Sequence, residues 1–546
     1  MIPNRIDTGG KTMSNHFDTH RPLVMGTHWM ITADHPIAAQ AGASVLEAGG
    51  NAVDAAVAAS MIMAVVRPHM CGIGGDLFML VHSGKEGSFE ALNASGRSPA
   101  GATIDAFKEL GYNKIPATGI LTSTVPGVLA GWQAALDRYG SMAFDSLLAR
   151  ALPYAENGFP VYRELVGAVE ERKNLLLAEG PPGEIFIPGG RVPAIGERLR
   201  NPLLAESFRV LMNDGPDAFY KGPLGEALVE YSRRKGGFFS EEDLAEYKIT
   251  WEAPLTADYH GFTIATQPPN SQGIALLMQA MMLEHFPLAD FSPDSPELVH
   301  LMVEAKKLAF ADRDAYVCDP SLHPVPVEQM LSGEQARARI LLVDKEKSSS
   351  VFPPRDFSSG GQDTVYLTVV DRDLNAVSLI QSIYETFGSC AMVPTTGMVL
   401  HNRGRGFTLD RNHPNRLEPR KRPYHTLHPA MILKDGLPYI VFGTPGADGQ
   451  TQTNIQLIVG MLDHGADPQQ ANEAPRWRSN PDGTLMIENR FPESTLKSLE
   501  RMGHRLQVLE PYAEIMGSSQ AILIDRQNHV LQAGADPRRQ AYAIGA

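Results

Sequence analysis

The strongest hydrophobic signal is Ala52 to Val65, AVDAAVAASMIMAV, which is apolar on nearly every side. That pattern predicts a helix buried all round, not one lying on a surface. Gly49-Gly50 ends a preceding helix, Ala38 to Ala48, with glycine supplying the left-handed cap. Asn51 starts the buried helix, and Asp54 three residues on completes a capping-box arrangement. Short β-branched and aromatic runs predict strands at Trp29 to Ala33, Leu77 to His82 and Ser88 to Ala94. Residues 124–250 read as mostly helical, broken at Gly158-Phe159-Pro160 and through the Gly/Pro-rich 180–202. Asp258 to Gln267 reads as one strand, Gly273 to Leu283 as an apolar helix and Val299 to Tyr316 as another. Residues 320–361 read as irregular. A hairpin follows, Thr364 to Asp371 and Ala376 to Ser382, around the turn Asp371-Arg372-Asp373-Leu374-Asn375. A second hairpin, Ala430 to Leu433 and Tyr439 to Phe442, surrounds Lys434-Asp435-Gly436. His401 to Gly406 is a loop, Gly443 to Gly449 a glycine-rich turn and Gln452 to Leu462 a helix. Strands are expected near 485–487, 505–509 and 521–524. Strands cluster in two groups with helices between, and no internal repeat is visible.

Composition narrows the function classes. The net charge is −14, which argues against nucleic acid and anionic membrane as partners. The three cysteines, Cys71, Cys318 and Cys390, are far apart and suggest no disulfide framework. No run approaches ~18 apolar residues, and the polar start has no stretch of signal-peptide length. A cytoplasmic enzyme is expected, with residues 1–23 a disordered extension and Met13 an alternative start. Gly72-Ile73-Gly74-Gly75 precedes a strand, not a helix, so phosphate-loop and dinucleotide fingerprints both fail. His425-x-x-His428 lacks a third ligand at a convincing spacing. No cofactor and no metal are expected.

The candidate chemistry sits where the loop composition Ser358-Ser359-Gly360-Gly361 meets Gln362-Asp363-Thr364. A threonine hydroxyl is a weak nucleophile until a base activates it, and a free amine on the same residue is such a base. Thr364 acquires one only if the chain is cut between Asp363 and Thr364. By spacing alone, an ordinary loop entering a hairpin is by far the better reading.

Thr364 with its hairpin resembles the start of the small subunit in the gamma-glutamyltransferase family of N-terminal nucleophile hydrolases. AGASVLEAGGNAVDAAVAAS, GIGGD, TVPGVLAGWQAALDRYG, GGFFSEEDLAEYKITWEAPL, HLMVEAKKLAFADRDAYVCDP, NAVSLIQS, KRPYHTLHPAMILKDG and GTPGADG follow in that family's order. The resemblance implies an α/β (α+β) fold, a four-layer αββα sandwich. It implies self-cleavage into a large subunit, 24–363, and a small one, 364–546, which stay together as one globular heterodimer. The end of the large part, 345–363, is expected to be a mobile tail. Ser382 matches the hydroxyl that bonds the nucleophile, and Gly446-Ala447 match the pair of amides that forms the oxyanion hole.

The pocket departs from the family pattern. Ser95 stands at the family's carboxylate-binding arginine, with Arg97 two residues on. Gly406 stands at its ammonium-binding aspartate. Tyr384 and Arg403 replace its asparagine and glutamine, and His425 and Thr426 replace its paired serines. Arg97, Arg403 and His425 could still bind an anion, while the acceptor for an ammonium is gone. The expected substrate is therefore a small carboxylate-bearing amide such as oxamate, which some members of this family handle. A gamma-glutamyl hydrolase or transferase, and a non-catalytic protein of the same fold, are the alternatives.

Overall fold

The computed structural model describes residues 19–349 and 363–546, with Asp363 described by its backbone alone. Two seven-stranded sheets form its centre. One runs Tyr542–Gly545, Met30–Ala33, Asp363–Val370, Ala376–Tyr384, Asp76–His82, Phe89–Ala94, Thr250–Glu252. The other runs Val24–Gly26, Val530–Ala535, Gln520–Asp525, Leu437–Gly443, Ala430–Lys434, Phe262–Thr266, Leu255–Tyr259. Every pairing within them is antiparallel.

Period-two alternation decides which side chain faces which layer. In Asp363–Val370, Val365, Leu367 and Val369 point to the helices of the N-terminal half, joining a core with Val57, Met61 and Trp132. Tyr366 and Val370 point inward, into the contact between the sheets with Leu427, Met431 and Ile522. The outer face of the second sheet is covered by helices Gly273–Leu283, Pro296–Tyr316 and Gly449–Ile458. Helix, sheet, sheet, helix is the four-layer α+β order expected. All fifteen residues of helix Ala52–Val66 are buried, and Asn51 and Asp54 form the reciprocal capping box. Among the described residues, no helix is long and apolar enough to cross a membrane.

Three expectations change. Asp258 to Gln267 is not one strand: Leu255–Tyr259 and Phe262–Thr266 pair across a turn at His260 and Gly261, both at positive φ. Residues 320–349 are not irregular throughout. Helices Val327–Met330 and Gly333–Ile340 form there, the second capped by Ser332 Oγ accepting from Gln335 N at 3.1 Å. Strands Trp477–Ser479, Val530–Ala535 and Tyr542–Gly545 are additions to the expected set. Of the expected extension, His20 N and Arg21 N donate to Glu473 at 2.7 and 3.0 Å. Residues 1–18, and 350–362 of the expected tail, lie outside the described residues.

Candidate active site

Thr364 opens the inward face of its strand. The pairing with Ala376–Tyr384 shifts register between Asp363 and Val365, which places Thr364 at a bulge. Its hydroxyl donates to Ser382 Oγ at 3.1 Å, and Tyr384 N donates to the same oxygen at 2.7 Å. Tyr384 is held at φ 82, and two polar contacts surround that strained residue: Ser382 below and the Arg403 guanidinium 4.1 Å from its ring centre. Backbone strain of this kind persists where surrounding contacts over-determine it. Thr364 is 2% exposed, so the nucleophile candidate is covered in the continuous chain.

Asp76 pairs with Ser382 across the next strand boundary and shares its inward face. It accepts from His425 Nε2 at 3.0 Å and Gly96 N at 2.9 Å, with Arg403 Nε 3.5 Å and His401 Nδ1 3.8 Å away. Burial alone would raise its pKa; His401, His425 and Arg403 outweigh that and hold the carboxyl well below the usual range. His425 is pushed down to about 3 by burial and by Arg403. Its Nδ1 accepts from Leu427 N at 3.2 Å, so both ring nitrogens are engaged and the ring is neutral. This removes His425 from the expected anion-binding set and, with it, the metal reading of His425-x-x-His428.

Arg403 remains. It is 1% exposed, donates from Nη1 to Thr426 Oγ1 at 3.2 Å, and its Nη2 has no hydrogen-bond partner. A buried guanidinium nitrogen without an acceptor costs ~1–3 kcal/mol or more. Arg97 is elsewhere: half-buried, it donates to the Arg420 carbonyl at 2.9 Å. Ser95 is enclosed, its hydroxyl donating to Asn93 Oδ1 at 2.7 Å. At Gly406 a Cβ would lie 2.7 Å from the Tyr424 carbonyl oxygen, so no side chain fits there without movement. The structure thus brings Thr364, Ser382, Tyr384, Arg403, His425 and Thr426 together and leaves Arg97 out.

Gly446 and Ala447 lie in the turn between strand Leu437–Gly443 and helix Gly449–Ile458. Gly443, at the root of this turn, packs under the ring of Tyr366, two residues beyond Thr364. Gly446 has φ 128 and Ala447 φ 49. Among the described residues, neither N–H donates a hydrogen bond. Two unengaged amides in a turn of left-handed geometry suit an oxyanion.

Sequence reasoning missed Asp76 and His401. The signal for Asp76 was available: a carboxylate on the inward side of an otherwise apolar strand. His401 meets Asp76 across a long sequence separation and leaves no local trace. For a metal, His300, Glu304 and His504 have ligand atoms within 4.8 Å of one another. His300 Nδ1 and His504 Nε2 are hydrogen-bonded at 2.8 Å and Glu304 takes Lys307 Nζ at 2.7 Å, so that set satisfies itself.

Comparison with known proteins agrees over nearly the whole chain. The family profile described as Gamma-glutamyltranspeptidase matches residues 38–546. The "Glutathione hydrolase-like YwrD proenzyme" of Bacillus subtilis is 40% identical, covering 96% of this chain and 99% of its own. The "Oxamate amidohydrolase proenzyme" of Klebsiella pneumoniae is 36% identical, covering 95% and 99%. The solved cephalosporin acylase from Bacillus halodurans superposes with a TM-score of 0.90 at 35% identity, covering 97% of this chain and 98% of that one.

Proposed function

The chain belongs to the gamma-glutamyltranspeptidase family, hydrolases of carbon–nitrogen bonds, and within it we propose a self-cleaving N-terminal threonine amidohydrolase for small carboxylate-bearing amides. The single observation that carries the substrate class is Arg403, a buried cation with an unpartnered Nη2, beside a position, Gly406, with no carboxylate. A carboxylate meets that nitrogen in charge-assisted geometry. A substrate ammonium would have no counter-charge, because Asp76 is already engaged by His425 and the Gly96 amide, and an unpaired buried charge is expensive.

The proposed chemistry has two stages. In maturation, Thr364 Oγ attacks the Asp363 carbonyl carbon, the C–N bond breaks and an ester forms. Water hydrolyses that ester, leaving a carboxylate on Asp363 and an amine on Thr364. The fragments 24–363 and 364–546 stay associated, supported by the position of Asp363–Val370 between Met30–Ala33 and Ala376–Tyr384. In turnover, the Thr364 amine takes the hydroxyl proton while Oγ attacks the substrate amide carbon. The oxygen's negative charge develops against the N–H groups of Gly446 and Ala447. The C–N bond then breaks, the leaving nitrogen takes the proton from the Thr364 ammonium, and water hydrolyses the acyl ester. Ser382, bonded to Thr364 Oγ, orients the attack.

A glutathione hydrolase is the second reading, favoured by the name of the 40%-identical relative. Intact mass of the purified protein comes first: two fragments split at Asp363–Thr364 are expected, and a single uncut chain would favour a non-catalytic protein. Measuring kcat/KM for oxamate beside glutathione then separates the two enzymes. A clear margin for glutathione would overturn the Arg403 argument.

A further inference from the structure

Two loops must hold a fixed spacing for the proposed reaction: Pro423–Leu427, which carries the Thr426 partner of Arg403, and Thr444–Asp448, which carries the oxyanion amides. One side chain spans them. Gln272 Nε2 donates to the Thr426 carbonyl at 2.6 Å and to the Ala447 carbonyl at 2.9 Å. Both protons of the amide are thereby used, one on each loop. We propose that Gln272 is a positioning residue, a spacer that sets the distance between the anion-binding side and the oxyanion-binding side of this site. This rests on the reading of the site given above.

The other end of the amide fixes its orientation. Gln272 Oε1 accepts from Arg313 Nη1 at 2.9 Å and from Tyr424 Oη at 3.0 Å. Arg313 also donates to Asp448 Oδ1 at 2.8 Å, beside the oxyanion turn. With carbonyls on one end and donors on the other, the amide cannot flip without reversing four hydrogen bonds. The backbone follows the same path. Gln272 N donates to the His425 carbonyl at 2.8 Å, His425 N to the Asn270 carbonyl at 2.9 Å, and Ser271 Oγ to the Leu427 carbonyl at 2.6 Å. Gln272 is fully buried and lies in the proposed large fragment, whereas both loops lie in the small one. The small fragment would then depend on the large one for the alignment of its own loops.

Gln272→Glu tests this directly. It keeps length, volume and the Oε1 acceptor for Arg313 and Tyr424, and it turns an oxygen, in place of NH2, toward two carbonyl oxygens. A displacement of the order of 1 Å costs roughly 100-fold in rate. The expected enzyme is cleaved into the same fragments, with kcat down by about that factor and KM for the carboxylate substrate raised severalfold. Tyr424→Phe is the second variant, mild enough to fold, and removes one holder of Oε1; a loss of kcat in the same direction, roughly 3–10-fold, is expected from the weaker constraint. The reference for coupling is Gln272→Ala, which removes Oε1: if Tyr424 acts through Gln272, Tyr424→Phe added to Gln272→Ala loses no more than Gln272→Ala alone, a coupling that a general loss of stability would not produce. A folded, cleaved Gln272→Glu enzyme with unchanged kcat overturns the proposal, as do additive losses in the double variant. Thr364→Ala, run alongside, separates this from the reading of the site: if that variant stays active, the nucleophile assignment fails, whatever Gln272 does.

Discussion

The hairpin that carries Thr364 has two ends built on opposite principles. At the turn end, Asp371 has every acceptor in use. It takes Asp373 N at 2.9 Å, Asn375 N at 3.0 Å, Asn375 Nδ2 at 2.8 Å and, from the buried helix, Ala52 N at 2.9 Å. At the open end, 4.1 Å from the Tyr384 ring, Arg403 keeps a buried nitrogen without a partner, Tyr384 is at positive φ, and the ladder is bulged at Thr364. One end is satisfied and holds the layers together. The other carries strain and an open valence, which a fold retains at a site that something else must complete.

Thr364→Ala should have the largest effect. The substitution removes the attacking oxygen from the open end and touches nothing at the turn. A single chain of 59.4 kDa without amidase activity is expected on a denaturing gel. Appearance of the same two fragments would mean that another protein makes the cut, and the open end would lose its role in maturation.

Arg403→Ala comes next. Removing the guanidinium deletes the unpartnered Nη2 at the open end while Asp76 keeps His425 and the Gly96 amide. Cleavage at Thr364 should persist, and KM for a carboxylate amide should rise ~10–100-fold, the range for losing a charged hydrogen bond of about 1.5–3 kcal/mol. Thermal stability should fall as well, because Asp76 loses the cation 3.5 Å away that helps keep its buried carboxyl ionised. If stability collapses while KM stays put, Arg403 belongs with Asp371 as scaffold.

The two ends also differ in how legible they were. The turn end was readable because its logic is local: Asp371-Arg372-Asp373-Leu374-Asn375 carries turn residues between two β-branched runs, and its hydrogen bonds close within four residues, apart from the one to Ala52. The open end was readable only through a resemblance that supplied Thr364, Ser382 and Gly446-Ala447. At two pocket residues, reading by aligned position parts from three-dimensional packing. Arg97 is two residues from the right position, yet its side chain turns to the Arg420 carbonyl. His425 was given an anion-binding role, yet Asp76, 349 residues away in sequence, takes its donor. Burial then keeps the ring neutral, which no local composition announces.

Asp371→Ala should break the satisfied end alone. It strips four hydrogen bonds, one of them from the first residue of the Ala52–Val66 helix. With two strands still paired on either side, a loss of ~2–3 kcal/mol is expected, from about 1 kcal/mol per hydrogen bond and partial rescue by water. A urea titration measures it. The kcat of the folded fraction should stay within about twofold. A larger loss of kcat would show that the ends are coupled through the strand.

The smallest effect is expected at Ala447, and it sharpens what holds the open end. Its φ of 49 is left-handed, a conformation that costs an L-residue with a Cβ roughly 1–2 kcal/mol. Proline at this position, with φ fixed near −65°, would rebuild the turn and so could not isolate the loss of one N–H. Glycine is the informative change. It relieves the left-handed strain, while its greater freedom in the unfolded chain returns ~0.4–1 kcal/mol, so stability should rise by no more than about 1 kcal/mol. The Ala447 carbonyl would remain tied to Gln272 and the amide would keep its place, so kcat should be unchanged within about twofold. Leu374, at φ 58 in the satisfied turn, is the matched control. Glycine there relieves the same strain but removes a side chain packed against the inter-sheet core, and the net result should be destabilising. If Ala447→Gly instead cuts kcat tenfold or more at unchanged stability, the methyl-enforced conformation, not the Gln272 hydrogen bond, is what aims the oxyanion amide.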